Sequence, residues 1–286
     1  MTYRKVTEYG EGILKDAGIA DAKNDAWLLM ETVCRIDRSF YYLHMEEEFP
    51  EEQLHEYEIT LRKRAEHIPL QYIAGGTEFM GLKFKVNSGV LIPRQDTETL
   101  VEEALKAVRP GMKVLDLCTG SGCVIVSILH NAPGVKGYAT DISKLALNVA
   151  RENARLNGVQ VFFERSDLFD NVQETFDMIV SNPPYIASGE IPGLMPEVRS
   201  FEPLEALDGG EDGLYFYRRI AAECAGYMNP GGQIFLETGW DQGRVVLKLL
   251  RDAGFSMLRI VKDPAGRDRV VTGRYDVCRG MGASPE

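Results

Sequence analysis

The chain has 286 residues, 44% hydrophobic and 26% charged, which is the balance of a folded globular protein with room for one large or two modest domains. Its 43 acidic against 32 basic side chains leave a net charge of −11, which argues against a protein that works by neutralising nucleic-acid phosphates. No run approaches the ~18 apolar residues of a membrane span, the start MTYRKVTEYG has no secretory h-region, and the cysteines (Cys34, Cys118, Cys123, Cys224, Cys278) form no CxxC pair, which suits a reducing, cytoplasmic compartment.

Residues 1–74 hold nine basic and fifteen acidic side chains, so a quarter of the chain carries more than half of the excess acid. Good helix formers, with Ala26, Leu29, Met30 and Val33 at helical spacing, predict an all-helical unit. Asp21 is expected to cap one of its helices. Seven glutamates and no Lys or Arg fall within 46–58. They read as a solvated helix face or, more sharply, as a docking surface for a basic partner. Gly75-Gly76 breaks the helical pattern. The alternation that follows, with Gly81 and Asn87-Ser88-Gly89, predicts a β-hairpin, so the domain joint is set at 75–93.

From residue 94 the pattern alternates. A helix is predicted over 96–108, then a strand in KVLDLC. Further strands are predicted in GVKGYAT, VQVFFER, FDMIVSN, GGQIFLE, FSMLRIV and RVVTGRY, with helices over 122–131, 143–157, 213–225 and 240–253. Strands alternating with helices imply a mostly parallel, three-layer α/β sheet. The last two strands, joined only across Asp263 to Asp268, should form an antiparallel hairpin at one side. Six β/α units ending in such a hairpin outline the class I (Rossmann-like) methyltransferase fold over 94–286, with the helical domain at 1–74 and the hairpin linker at 75–93.

The first strand of this domain runs into Cys118-Thr119-Gly120-Ser121-Gly122, a glycine turn before a helix that lets the backbone approach a ligand closely. Dinucleotide enzymes use such turns too. The acids discriminate: Asp116 precedes the turn, Asp141 ends the second strand, and Asp167, beside Leu168, follows the third. Acids at the carboxyl ends of adjacent strands suit a ligand lying across the sheet edge, with Asp141 able to accept both hydroxyls of a ribose. They suit a cationic sulfonium better than an anionic pyrophosphate. The fourth strand ends in Asn182-Pro183-Pro184-Tyr185. Two prolines stop the strand and hold its terminal carbonyls outward. The Asn182 oxygen and the Pro183 carbonyl can then converge on one amino group, with Tyr185 as a flat face against a planar substrate. An amide nitrogen is a poor nucleophile because its lone pair is delocalised. Two acceptors holding its N–H bonds orient it and stabilise the positive charge that develops as a methyl arrives.

These segments resemble the protein-(glutamine-N5) methyltransferases that modify peptide chain release factors. The resemblance covers nearly the whole chain. It includes Pro69-Leu70-Gln71-Tyr72-Ile73, Leu91-Ile92-Pro93-Arg94 with Asp96-Thr97-Glu98, the glycine turn, and Asn182 to Ile186. It continues through Phe201-Glu202-Pro203, Ala206-Leu207, Gly209-Gly210 and Asp212-Gly213-Leu214. The resemblance implies S-adenosyl-L-methionine as donor, the glutamine of the release factor's Gly-Gly-Gln motif as acceptor, and a helical domain that helps hold the release factor. It assigns the donor to Cys118, Thr119, Gly120, Ser121, Gly122, Asp141, Asp167, Leu168 and Asn182. It assigns the glutamine amide to Asn182, Pro183, Pro184 and Tyr185, and leaves Arg94 and Thr97 near the donor. It implies no metal, no membrane, no direct nucleic acid and a monomer. Cys118 stands where the family usually has Gly and would be strained if φ there is positive; its thiol could be sensitive to oxidation. Leu168 stands where an aromatic is common. The NPPY tetrad is shared with adenine-N6 methyltransferases acting on DNA or RNA, which remain the alternative, and a non-catalytic binding protein is the third reading. The long segment 186–212 reads as a substrate-side lid. The four histidines lack metal-ligand spacing, and 241–274, with eight basic residues against four aspartates, reads as solvated surface.

Overall fold

The computed structural model describes residues 1–276, so Cys278 lies outside the described residues. The chain divides into two units: 1–76 together with 195–201, and 77–194 together with 202–286.

The first unit is helical: α1 (Tyr3–Asp16), α2 (Ala22–Cys34), α3 (Arg38–His44), α4 (Glu51–Ala65) and α5 (Leu70–Ala74). Val6, Leu14, Leu29, Met30, Tyr57 and Leu61 form its dry centre, each fully buried. Thr2 caps α1 by accepting from the Lys5 N–H (3.4 Å), and Asp37 caps α3 by accepting from Phe40 (2.7 Å). Asp21 does occupy the N-cap position of α2, but its backbone (φ −108°, ψ 46°) is not the extended one that aims a side chain at the first turn, and it makes no capping bond. The glutamate-rich stretch is not a single helix face. Glu46, Glu47 and Glu48 precede α4, with Glu46 paired to Arg4, while Glu51, Glu52, Glu56 and Glu58 lie on α4. Arg64 is buried and shared. It donates to Asp25 at 2.7 Å and to Glu197, on the 196–201 helix, at 3.0 Å. Removing it would take the buried Asp25 carboxylate's charged partner away and leave Glu197 with only His67 (3.3 Å) beside it.

Gly10 lies inside α1, where alanine is ordinarily the better residue by about 1 kcal/mol. Here a Cβ would sit 2.2 Å from the Tyr57 hydroxyl oxygen, and that hydroxyl donates to the Ala26 carbonyl at 2.9 Å. Gly10→Ala is therefore expected to lower stability by roughly 1–3 kcal/mol, read as a lower denaturant midpoint with unchanged slope. An unchanged or higher midpoint would contradict this packing.

The second unit opens with a hairpin, β1 (Gly76–Phe79) and β2 (Leu82–Lys85), then α6 (Glu98–Ala107). Alternation follows: β3 (Lys113–Leu117), α7 (Cys123–Asn131), β4 (Lys136–Asp141), α8 (Lys144–Leu156), β5 (Val161–Arg165) and β6 (Phe176–Ser181). After β6 come α9 (Pro196–Phe201, counted with the first unit), α10 (Tyr215–Glu223), β7 (Met228–Glu237), α11 (Gly243–Asp252), β8 (Phe255–Lys262) and β9 (Asp268–Tyr275). Seven strands make one sheet in the order β5-β4-β3-β6-β7-β9-β8, parallel from β5 to β7 and antiparallel at β9 and β8. This is the Rossmann-like α/β arrangement with the expected antiparallel end.

Alternate residues feed its two faces, as a strand's period of two requires. Val114, Met178, Val180 and Phe235 pack on the layer of α6 and α7, where Phe79 and Phe84 of the hairpin are also buried. Leu115, Leu117, Ile179 and Leu236 pack on the opposite layer, with Tyr217, Ile220 and Leu250. Asn153 of α8 joins hairpin to sheet. It is fully buried, bonds both the N–H and the carbonyl of Lys85 (2.7 and 3.0 Å), and donates to the Ser121 carbonyl at 2.9 Å.

Candidate active site

Strand β3 lies between β4 and β6, with Leu117 in register with both Thr140 and Ser181. Three carboxyl ends therefore open side by side, bringing Cys118, Asp141 and Asn182 together although 64 residues separate the first from the last. They line a cavity of 630 Å³, whose walls also include Arg94, Thr97, Asp167 and Leu168.

The glycine turn is built for close approach. Gly120 (φ 55°) and Gly122 (φ 79°) both use the left-handed region. A Cβ on Gly122 would press to 3.0 Å from that of Ala150, whereas a Cβ on Gly120 would meet nothing within 4 Å, because that backbone faces the open site. The Gly120 N–H donates to Asp141 Oδ2 and the Ser143 N–H to Asp141 Oδ1, both at 2.8 Å. Each carboxylate oxygen has a second lone pair, so Asp141 is held rigidly and can still accept two hydroxyls from a ligand. Burial pushes its carboxyl up, partly offset by these two backbone bonds. Asp116 lies deeper. It is buried, accepts from the Thr119 hydroxyl at 2.7 Å, and is pushed up to about 7 by desolvation.

Cys118 and Leu168 both have positive φ, 57° and 50°. An L-residue there costs on the order of 1–2 kcal/mol relative to glycine's freedom, so the strain expected at Cys118 is present. The expected oxidation sensitivity does not follow. Burial and the nearby Asp141 and Asp116 carboxylates push the thiol upward, and the thiolate is the reactive form. Asp167 is not free: Arg219 of α10 donates to it at 2.8 Å. Leu168 is buried against the sheet.

Of the NPPY tetrad, Asn182 and Pro184 line the cavity, while Pro183 and Tyr185 do not. Tyr185 packs against the core layer that holds Tyr217, and burial pushes its phenol up to about 12. Its carbonyl is tied to the Gln242 side-chain amide (2.9 Å). The Asn182 Nδ2 donates to the Thr97 hydroxyl oxygen at 3.3 Å, which leaves Oδ1 as the amide atom available to a substrate N–H.

Segment 186–212 is not a plain lid. Its far part returns along the tetrad, with Ile186 N–H to Leu207 O at 3.0 Å, Gly209 N–H to Ile186 O at 2.8 Å and Ser188 N–H to Gly210 O at 2.9 Å. A Cβ on Gly209 would lie 2.7 Å from the Tyr185 Cα, and one on Gly213 would lie 2.3 Å from the Tyr185 carbonyl oxygen. The GG-x-DG segment is thus backbone strapped directly on backbone. Glu202, nearly buried, is paired with Arg94 and accepts from the Ile92 N–H at 3.4 Å, which ties the IPR segment to this strap. Sequence reasoning missed Asn153, Glu202, Arg219, Gln242 and the exposed apolar rim at Ile142 and Leu145. Only Glu202 had a signal, through its motif.

A parallel sheet with an antiparallel end, an acid-flanked glycine turn and an NPPY tetrad at adjacent strand ends defines a Rossmann-like methyltransferase. A methyltransferase from Pyrococcus furiosus shares this fold (TM-score 0.53, 20% identity, covering 69% of this chain and 90% of that one). Residues 5–75 match the family described as PrmC N-terminal domain, and 94–194 match the methyltransferase small domain. The release factor glutamine methyltransferase of Geobacter sulfurreducens is 40% identical over 274 residues, 96% of each chain. That of Cereibacter sphaeroides is 43% identical over 263 residues, 91% of this chain and 94% of its own. The chain belongs to the release factor glutamine methyltransferase family.

Asp141→Ala removes both ligand-facing lone pairs and unties the Gly120 and Ser143 amides. S-adenosylmethionine affinity is expected to fall by about 100-fold, or roughly 2.8 kcal/mol, by titration calorimetry. Affinity within about threefold of the parent would place the donor elsewhere.

Proposed function

We infer that this enzyme transfers a methyl group from S-adenosylmethionine to the side-chain amide nitrogen of the glutamine in the Gly-Gly-Gln motif of peptide chain release factors. The observation that carries the reading is the Asn182 amide, anchored by Thr97 at the wall of the cavity that Asp141 and the glycine turn also line.

The cavity fits the donor in chemistry as well as size. A volume of 630 Å³ lies in the range of small-molecule sites, and Asp141 offers two lone pairs matched to a ribose diol. Cys118 to Gly122 present a backbone turn that Gly120 leaves open. When bound, S-adenosylmethionine supplies an electrophilic methyl on a sulfonium. The chain's own part is positioning. Asn182 Oδ1 and the Pro183 carbonyl accept the two N–H bonds of the glutamine amide, so the nitrogen is oriented and its developing positive charge is stabilised. Pro184 and the partly buried Tyr185 hold that corner rigid, with the GG-x-DG strap behind it. No strong base is needed, since the proton can leave after transfer.

The substrate is a protein of the translation machinery, which supports a cytoplasmic reaction and a protein surface, not a nucleic acid, as the docking partner; one chain carries every residue named, which supports a monomer. Among the described residues no helix is long and apolar enough to cross a membrane. The helical unit is the docking module on this reading, with the exposed glutamates of 46–58 as part of its face.

Incubation with donor and a release factor should add the mass of one CH2 at the Gly-Gly-Gln glutamine, and none when that glutamine is replaced. Asn182→Ala should lower turnover by at least about 100-fold while donor affinity persists; loss of donor binding would overturn the assigned role. Reversing Glu51, Glu52 and Glu56 to lysine should weaken methylation of the whole release factor with donor affinity intact. If methylation is unchanged, those glutamates are solvated surface only.

A further inference from the structure

Glu237 ends β7 with 1% exposure, and its Oε2 has no hydrogen-bond partner; the neighbouring Thr238 hydroxyl oxygen is likewise buried without one. A buried carboxyl with a bare oxygen is costly where an aliphatic side chain would pack without penalty, so stability does not account for it. Beside it stands the Thr97 hydroxyl, whose hydrogen bonding favours the charged carboxylate; Thr97 is 2% exposed and sits just before α6. Thr97 in turn receives the Asn182 amide at 3.3 Å.

We propose that Glu237 is a positioning residue for methyl transfer, setting through the Thr97 hydroxyl which edge of the Asn182 amide faces the glutamine. The inference rests on the functional reading above. A threonine hydroxyl has a single proton. While Glu237 is a carboxylate it can only accept, so that proton goes to Glu237 and the Thr97 oxygen can only accept from Asn182. Nδ2 is then turned toward Thr97 and Oδ1 toward the substrate N–H. A protonated Glu237 can donate to Thr97 instead. The hydroxyl proton then swings to Asn182, which satisfies it by presenting Oδ1 inward and its NH2 to the substrate, where two donors confront each other.

The groups around the carboxyl come from every side. Arg269 of β9 favours the charged form, Asp96 opposes it, and Tyr185, Tyr217 of α10 and Cys123 of α7 also face it. Arg269 is itself divided among Asp96 (2.7 Å), Asp263 (3.1 Å) and the Thr238 carbonyl (3.3 Å). Burial outweighs its help and pushes Glu237 up to about 7. The carboxylate form is the working one, so the rate should rise with pH through that region and level off above it. Asp116 lies in the same range, and substitution of Glu237 separates the two.

The test is the single-turnover methylation rate of a release factor at saturating donor, from pH ~5.5 to ~9. The parent should show an acid limb. Glu237→Gln should lose that limb and slow by about tenfold or more at pH ~8, with KM for the release factor and donor affinity little changed. Thr97→Val, which leaves the carboxyl in place, should slow similarly, and Thr97→Ser should restore most of the rate; if Glu237→Gln does not fold, this pair decides the matter. A parental rate and acid limb in Glu237→Gln, or a parental rate in Thr97→Val, would overturn the positioning role while leaving glutamine methylation standing. A parent that methylates no release factor would sink both.

Discussion

The site depends on the parallel pairing of β3 with β4 on one side and β6 on the other. Neighbouring strands lie about 4.8 Å apart, so that pairing puts the glycine turn, Asp141 and the NPPY tetrad within the span of a small molecule. The register of Leu117 with Thr140 and Ser181 makes the three strand ends level. A slip of one residue would turn Asp116 and its neighbours to the opposite face of the sheet and empty the site. Two apolar layers make such a slip expensive, because Val114 and Leu115 are both fully committed, one to each side.

Around those strand ends the molecule gives up stability. Asp116 and Glu237 are carboxyls pushed up by burial to about 7, and such groups add stability that is present at low pH and lost as pH rises through the folded value. At neutral pH and above they weigh against folding. Cys118 and Leu168 add backbone strain, and Gly209 and Gly213 are needed because any side chain would collide with Tyr185. The cost falls on residues that touch the cavity or stand directly behind it, which is where function has a use for rigidity and charge.

The alternating elements of the second unit were legible because strand and helix periods differ, and the glycine turn and tetrad were legible because few other uses demand those residues in that order. What was not legible shares one property: it joins residues far apart in the chain. Glu237 lies 140 positions from Thr97, and nothing local marks either. Asn153 reads as an ordinary polar helix residue until the hairpin is folded onto it. Tyr185 is read from the sequence as a flat face for a planar substrate; folding adds that its partly buried ring also packs against the layer that holds Tyr217, a contact with residues far along the chain. Asp21 had the right residue type for a cap, but the preceding turn sets a backbone that cannot use it. The 186–212 segment was long enough to suggest a lid, and only folding reveals that part of it belongs with the helices and part is strapped to the tetrad.

The central claim is that the chain catalyses by holding a glutamine amide between two acceptors beside the donor site. A crystal structure with S-adenosylhomocysteine and a Gly-Gly-Gln peptide would test it most directly. The account predicts the glutamine nitrogen within hydrogen-bond distance of both Asn182 Oδ1 and the Pro183 carbonyl, facing the donor's sulfur, with Asn182 Nδ2 still on Thr97. A glutamine amide outside that reach, or an Asn182 turned with its oxygen toward Thr97, would contradict it.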